Sequence, residues 1–384
     1  MARSQRILLL VEPNTSYGRK VLKGIASFAQ MRKYWVFEFE LLAGVQDMLN
    51  RGISHADGII IRGAYPDWLA AVVATGIPAV NVSSEVPDSP LPTVASDNAA
   101  IGAMAADHLL SRGFRKFACC GFAGQKQLDD RMEAFRQRVT AAGHQCFLPP
   151  PEGRPFEAMF YEDQVGALRQ WLKQLPRPTA MFATNDEFGR LVIQTCREID
   201  VHVPEDIAVL GVDNDEVICE LSNPPLSSIE RGAERIGYEA AKLLAKVMTG
   251  GAAPSRPMLL GPVKVVTRRS SDTQAIDEPL VASAIRFIWD HVEERLDVDD
   301  VVKHVGVSRR WLEVCFGRTL GRSPAAEIRR AQIEHAKKLL VETDMLMPSV
   351  AAASGFTDAK LLIAVFRREV GMTPTQFRRD FRLT

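Results

Sequence analysis

Arg309, Arg310 and Glu313 follow closely on Ser308, and Lys360 stands beside Thr357, Asp358 and Ala359. Arginine and lysine donate to guanine edges in the major groove of DNA and glutamate accepts from cytosine, so such side chains on one helix face can read base pairs. A second group of polar residues closes apolar runs in the first two thirds of the chain. Asp213 ends "IAVLGVD", Asn185 and Asp186 end "AMFATND", Arg62 ends "GIIIR" and Asp97 follows "TVAS". In open parallel sheets ligands lie beyond the carboxyl ends of the strands, which makes these residues the first candidates for a binding site. Arg131 adds a planar fork of donors suited to adjacent hydroxyls.

The elements that position the first group form a pattern written twice, "GVSRRWLEVCFGRTLGRSP" from Gly306 and "GFTDAKLLIAVFRREVGMTP" from Gly355. Each copy opens with Gly, an apolar residue and a hydroxyl residue. Ser308 and Thr357 are expected to cap the helices that follow, a side-chain oxygen accepting from free first-turn amides. The second copy is one residue longer, and that residue is placed inside its helix. Upstream, "DVDDVVKHV" and "MLMPSVAAA" each supply a short helix, so each copy reads as helix, tight turn, helix. Between them "SPAAEIRRAQIEHAKKLLVET" opens with Ser323 as cap and Pro324 in the first turn. It then runs as a long helix with Ile328, Ala331, Ile333 and Leu339 as candidate buried positions. Two helix-turn-helix motifs joined by a rigid helix would read two successive stretches of groove.

The remaining residues pattern differently. "RILLLVE", "VFEFELL", "GIIIRG", "PAVNVS", "KFACCGF", "AMFATN" and "IAVLGVD" are strand candidates, separated by helical stretches such as "SYGRKVLKGIASFAQ" and "AAIGAMAADHLLSRG". That alternation predicts an α/β fold with doubly wound parallel sheets. The expected organisation is an effector-binding domain over 1–268, a polar connector over 269–280 and an all-α double helix-turn-helix domain over 281–384.

Charge divides the same way. The chain carries 47 Lys and Arg against 47 Asp and Glu, but from Lys303 onward the balance is 15 to 8, leaving the rest acidic. A basic module beside an acidic one suits a nucleic-acid binder with a separate sensing domain. The six cysteines show no metal-ligand spacing and are read as reduced thiols of a cytoplasmic protein. No apolar run reaches membrane length, and "MARSQRILLLVEPN" reads as a first strand, not a signal peptide. The seven His are scattered, with no nucleophile elbow, phosphate loop or metal cluster, so neither catalysis nor a cofactor nor a metal is implied.

Residues 281–384 resemble the DNA-binding domain of the AraC/XylS family, the closing "GFTD…VFRREVGMTPTQFRRDF" above all. Residues 5–268 resemble the effector domains of the LacI/GalR type, through "TVASDNAAIGAMAADHLLSRG", "RMEAFRQRVTAAGH", "NDEFGRLVIQTCREIDVHVPEDIAVLGVDND" and "NPPLSSIERGAERIGYEAAKLL" in that order. Two departures stand out: Phe188 precedes Gly189 where a small residue is usual, and the LacI-type helix-turn-helix before the first strand is lacking. The resemblance implies two lobes joined by three crossing segments with a ligand between them. It implies a sugar-responsive transcription regulator, of xylose or a related pentose, activating a catabolic operon as a homodimer that meets RNA polymerase on double-stranded DNA. On this reading Asp213 accepts from sugar hydroxyls, with helix capping as its alternative. Asn185 faces the cleft while Asp186 caps the next helix. Arg131 either contacts ligand or bridges the lobes, and Asp97 either contacts ligand or caps. Tyr17 could stack on a sugar ring or be an ordinary half-buried aromatic, and Arg62 is a weaker candidate of the same kind. Arg310, Glu313 and Val314 face bases, Arg309 holds phosphate and Trp311 packs inward. In the second helix Ala359, Leu361 and Ala364 replace the usual polar residues and leave Lys360 as donor, so this helix either contacts thymine methyls or anchors on phosphate. The arginine pairs at 329–330, 367–368 and 378–379 either contact phosphate or lie at the surface. A repressor, or a regulator of another small molecule, would use the same scaffold. An α/β enzyme or transport protein with a helical appendage is the reading the doubled motif opposes.

Overall fold

A computed structural model of the chain describes residues 4–30, 34–39, 56–121, 124–149, 162–273 and 279–381. It divides into two units, Met1–Thr273 and Gln274–Thr384. Residues 269–271, placed in the connector by composition, form a 3-10 turn on the first unit: Ser270 Oγ donates to Val209 O (2.6 Å) and accepts from Ser227 N (2.8 Å). Residues 274–278 of that connector, and 40–42 of "VFEFELL", lie outside the described residues.

Among the described residues the first unit holds two large sheets and a two-stranded one. One has the order β2 (Trp35–Phe39), β1 (Gln5–Leu10), β3 (Gly58–Ile61), β4 (Ala79–Asn81), all parallel. Helix α1 (Ser16–Ala29) follows β1, α2 (Pro66–Ala74) follows β3, and a short strand β5 (Val94–Ser96) leads to the first crossing. The second sheet is entered through α3 (Asn98–Leu110), β6 (Lys116–Cys120), α4 (Lys126–Ala141), β7 (Gln145–Phe147), α5 (Glu162–Gln174), β8 (Thr179–Ala183), α6 (Asp186–Glu198), β9 (Ile207–Val212), α7 (Glu216–Leu221) and β10 (Ser227–Glu230). The chain then returns to the first lobe as α8 (Ala233–Met248) and β11 (Met258–Leu260), which pairs with β5, before β12 (Lys264–Val266) closes the second sheet. The second sheet's order is β12-β10-β9-β8-β6-β7, parallel except for β12. Its central strands β8 and β9 are buried at every residue because helices cover both faces, while the edge strands β7 and β12 are partly exposed.

All seven strand candidates coincide with strands; the missed ones are short. β5, β7, β11 and β12 have three residues each and β10 four, too few for a visible alternation. The first lobe's core joins Ile7, Leu9, Val21 and Ile25 to Ile236 and Leu244, which brings α1 against α8. Their backbones touch: a Cβ at Gly24 would lie 1.8 Å from Glu234 O, and one at Gly237 would lie 1.9 Å from Val21 O. Only glycine fits at either position, and this contact fixes the helix that carries Tyr17, Arg19 and Lys20.

The elements of the second unit, among the described residues, are all helices: α9 (Pro279–Asp290), α10 (Val298–Val305), α11 (Arg309–Leu320), α12 (Pro324–Glu342), α13 (Met347–Ala353), α14 (Ala359–Val370) and α15 (Pro374–Phe381). It has two cores. One is built on Ile285, Val301, Leu312, Phe316 and Ile328, the other on Ile333, Ala336, Val350, Leu362 and Phe366. Helix α12 contributes to both and is the spine of the domain. In its first turn, buried Glu327 accepts from Trp289 Nε1 (3.1 Å) and Arg330 (2.8 Å) and pairs with Arg322 (2.6 Å). Burial opposes its charge, but Arg330 and Arg322 outweigh that and hold its carboxyl below the usual range.

Candidate ligand site and nucleic-acid interface

Helices α1 and α4, the loops after β3 and β9 and the crossing after β10 bring Tyr17, Arg131, Arg62, Asp213 and Arg231 together. Arg131 projects from the second turn of α4 and is 1 % exposed. Its Nε donates to Asn98 Oδ1 (2.9 Å) and its Nη1 to Thr184 O (2.7 Å), while Nη2 is buried without a hydrogen-bond partner. No carboxylate pairs with it at ion-pair distance among the described residues. Burial, and then the like charge of Arg231, bring its pKa down to about 9. Arg131 therefore makes no salt bridge between the lobes; it is a held guanidinium with one donor edge unspent.

Asp213 lies just past β9 with φ +114°, and Asn214 follows at φ +46°. A non-glycine backbone there is strained by roughly 1–3 kcal/mol, the kind of outlier that clusters at functional positions. Its carboxylate meets Arg231 Nε at 2.8 Å, an ion contact that leaves both atoms without an aligned hydrogen bond. The capping role weighed for Asp213 belongs to Asp215, which accepts from Val217 and Ile218 amides at the start of α7. Tyr17 is wholly buried, not half-buried. Its hydroxyl donates to Val82 O (2.5 Å), and the Arg231 guanidinium lies 3.7 Å from its ring centre. Burial raises its pKa against the opposing charges of Arg231 and Arg62. Arg62 lies 5.6 Å from the same ring and is gripped by both Glu12 oxygens at 2.9 Å.

The neighbouring pair inverts the expectation. Asn185, not Asp186, caps α6, accepting from Phe188 N at 2.8 Å. Asp186 is buried and accepts from Ser228 Oγ (2.5 Å), Asp215 N (2.7 Å) and Cys219 Sγ (3.6 Å). Burial, and then the charge of Asp213, push its carboxyl up to about 8. The reason is position: the first residue outside a helix supplies the cap, and the first residue inside it turns towards β10. Asp97 is likewise a cap, for Ala100 N (2.9 Å), and it is Asn98 beside it that reaches Arg131.

The lobes are also tied directly. Lys20 Nζ from α1 donates to Asp213 O (2.7 Å), Asn214 O (2.9 Å) and Glu230 Oε2 (2.8 Å), and Arg19 pairs with Asp215 (3.3 Å). Glu85 of the first lobe accepts from Lys126 N at 3.0 Å, serving a helix whose own cap residue supplies no side-chain bond. Sequence reasoning missed Arg231, Asn98 and Glu12. Arg231 was visible in "SSIERG", a charged residue ending a strand as Arg62 does.

In the second unit both motifs turn at left-handed glycines, Gly306 (φ +69°) and Gly355 (φ +73°). Ser308 caps α11, accepting from Trp311 N at 3.2 Å. Thr357 does not cap α14. Asp358 does, accepting from Leu361 N at 2.9 Å, and Asp358 is a strong cap residue at the position adjoining the helix. Both helices then have twelve residues, so the additional residue of the second copy lies in the turn, where Phe356 drops into the core. Arg310, Glu313 and Val314 are exposed on α11, and Lys360, Ile363 and Ala364 are their counterparts on α14. Ala359 starts α14 half-buried. Trp311 is 49 % exposed and does not pack inward. Arg309 pairs with Asp299 and with Glu313, both at 3.3 Å. A groove of about 370 Å³ between the motifs is lined by Arg309, Arg329, Thr357 and Leu361, which sets both recognition helices along one groove. Gln332 Nε2 donates to Gly355 O (3.1 Å) and locks the second turn to the spine. Of the arginine pairs, Arg330 is committed to Glu327, and Arg378 to the carbonyls of Leu340 and Met345. No group of three metal-ligating side chains occurs among the described residues.

A two-lobed α/β domain with a buried polar cluster between its sheets, followed by paired helix-turn-helix motifs in a stretch of chain with a basic excess, defines a ligand-responsive transcription regulator. The comparisons agree: residues 106–271 match a periplasmic binding protein-like domain and 301–380 a helix-turn-helix domain, the latter of AraC type. The chain belongs to the family of xylose operon regulatory proteins. It is 31 % identical to that of Haemophilus influenzae over 382 residues (97 % of this chain, 98 % of the relative) and 30 % identical to that of Escherichia coli K12 over 386 residues (98 % and 97 %). The solved structure of the xylose-binding transcription activator xylR covers both chains entirely, with a TM-score of 0.81 at 28 % identity. A cellobiose complex of the regulator CelR matches 70 % of this chain and 85 % of its own, at TM-score 0.59 and 23 % identity, a likeness of fold. These relatives are transcription regulators, not enzymes, and no described helix is long and apolar enough to cross a membrane.

Proposed function

We propose that the first unit binds xylose or a closely related pentose between its lobes, and that binding turns on transcription from a catabolic operon. The observation that carries this is the buried cluster of Arg131, Arg231 and Asp213, in which one guanidinium edge has no partner and one carboxylate–guanidinium contact is unaligned. Buried polar groups are normally satisfied, and the hydroxyls of a small sugar would satisfy these. Tyr17, with Arg231 against its ring, forms an amphipathic wall, and Asn98 and Thr184 hold Arg131 in place. The names of the full-length relatives support a pentose in particular.

Sugar contacting residues of both lobes favours the closed arrangement, to which the Lys20, Arg19 and Glu85 contacts already contribute. The regulator works as a cytoplasmic homodimer in which closure redirects the two DNA-binding domains and presents them with RNA polymerase. Arg310 and Glu313 read guanine and cytosine edges, Glu313 leaving Arg309 as that arginine turns to phosphate. Thermal unfolding of the full chain with a panel of pentoses and hexoses tests the ligand. A cognate sugar at 100 times its dissociation constant adds about 2.7 kcal/mol of stability. A panel in which no pentose raises the midpoint, while another metabolite does, overturns the pentose reading.

A further inference from the structure

The caps at Ser308 and Asp358 place the two recognition helices in register, and their exposure then matches position by position. Residues 310, 311, 313, 314, 317 and 318 are exposed on α11, as are 360, 361, 363, 364, 367 and 368 on α14; 312, 315 and 316 are buried, as are 362, 365 and 366. The same surface is thus offered twice with different chemistry. Where α11 presents Trp311, Glu313 and Val314, α14 presents Leu361 (44 % exposed), Ile363 (38 % exposed) and Ala364. Lys360 precedes this apolar face and Arg367 follows it, so the flanks suit the phosphates on either side of a groove. Leu361 and Ile363 remain exposed among the described residues, whereas Leu362, Val365 and Phe366 on the same helix fill the core.

An apolar face in a major groove meets only one apolar group on a base pair, the 5-methyl of thymine. Over guanine or cytosine, Ile363 would bury an oxygen, nitrogen or amino group with no partner. We infer that Ile363, with Leu361 beside it, is the specificity-determining side chain of the second motif, and that it selects thymine through its methyl group. The two motifs therefore read different alphabets: polar base edges by α11, methyl groups by α14. This rests on the DNA-binding reading of the second unit and adds the chemistry its second half recognises.

The test uses the full chain and a duplex obtained by binding-site selection. Each thymine of the half-site protected by α14 is replaced in turn by deoxyuridine, which removes the methyl and leaves every hydrogen-bonding group. At one or two positions wild-type affinity falls about three- to tenfold per methyl. In Ile363→Ala the same replacement has little effect, because the contacting side chain is already gone, whereas Arg310→Ala keeps the full uracil penalty. Binding indifferent to uracil throughout that half-site, or an equal penalty in Ile363→Ala, overturns the inference while leaving the DNA-binding reading intact. Failure to select any duplex would instead refute that reading.

Discussion

Replacing Arg131 by methionine isolates what the unpartnered guanidinium edge does. Methionine fills much of the same space with no charge, so the buried cluster loses its donors without opening a large void. Two effects follow, and they separate. In the free protein, Asn98 Oδ1 and Thr184 O lose the donors at 2.9 and 2.7 Å, each loss costing about 1–3 kcal/mol if no other group replaces it. Against this, a guanidinium whose pKa burial has already lowered to about 9 no longer has to be desolvated, so the net change in stability is smaller than that sum. In the complex, Nη2 is the atom free to donate to a sugar hydroxyl. A hydrogen bond from a charged donor contributes about 1.5–3 kcal/mol, which corresponds to roughly 10- to 150-fold in affinity. Calorimetric titration of the full-length variant with the pentose that stabilises wild type measures this directly, with circular dichroism confirming the fold. A folded Arg131→Met protein with wild-type affinity would refute the site, because the donor edge would then serve nothing.

Gly306 and Gly355 both adopt left-handed φ, but only Gly355 is crowded, with Glu294 O 2.5 Å from where a Cβ would stand. Gly306→Ala should cost about 1–2 kcal/mol. Gly355→Ala should cost that plus about 0.5–1.5 kcal/mol for a disturbed Gln332 hydrogen bond, and it alone should weaken the second half-site. Urea unfolding and half-site binding compare them, and equal losses would contradict the crowding argument. Asp186, pushed up to about 8, holds its proton more tightly folded than unfolded, where its pKa is about 3.9. Its contribution to stability is therefore full below about pH 3.9, falls as the pH rises and is gone above about 8. Asp186→Asn should flatten stability between pH 5 and 8, and an unchanged slope in urea midpoints would show that the carboxyl is ionised throughout. Arg310→Ala should relax preference at one base pair of the first half-site by about 1–3 kcal/mol, while Lys360→Ala should lower affinity evenly and reduce the salt slope by about one. Selection and sequencing with both variants would expose a reversed assignment.

What the sequence disclosed was local. Strand runs such as "IAVLGVD" and caps such as Ser308 and Ser323 depend on residues within a few positions, and the structure has them where the pattern puts them. Thr357 misled because two adjacent residues can both cap, and the choice fell on Asp358 once Phe356 was committed to the core. The buried cluster was less legible because its partners lie far apart in the chain. Arg131 meets residues 98 and 184, Tyr17 meets 82 and 231, and Asp186 meets 215 and 228. A polar residue at a strand end signals a site, but whether it caps, pairs or remains available depends on crossings that only the folded lobes define.

If one chain links a pentose to DNA, linkage makes the coupling measurable in a single experiment. The affinity of the full chain for its selected duplex is titrated with and without saturating pentose, in wild type and in Asp213→Ala. The expected result is that the sugar changes DNA affinity or the mode of half-site occupancy in wild type, that DNA reciprocally shifts the sugar's dissociation constant by the same factor as any change in affinity, and that the variant binds DNA but no longer responds. Wild-type DNA binding identical at every sugar concentration, or an Asp213→Ala protein that responds as wild type does, would contradict it.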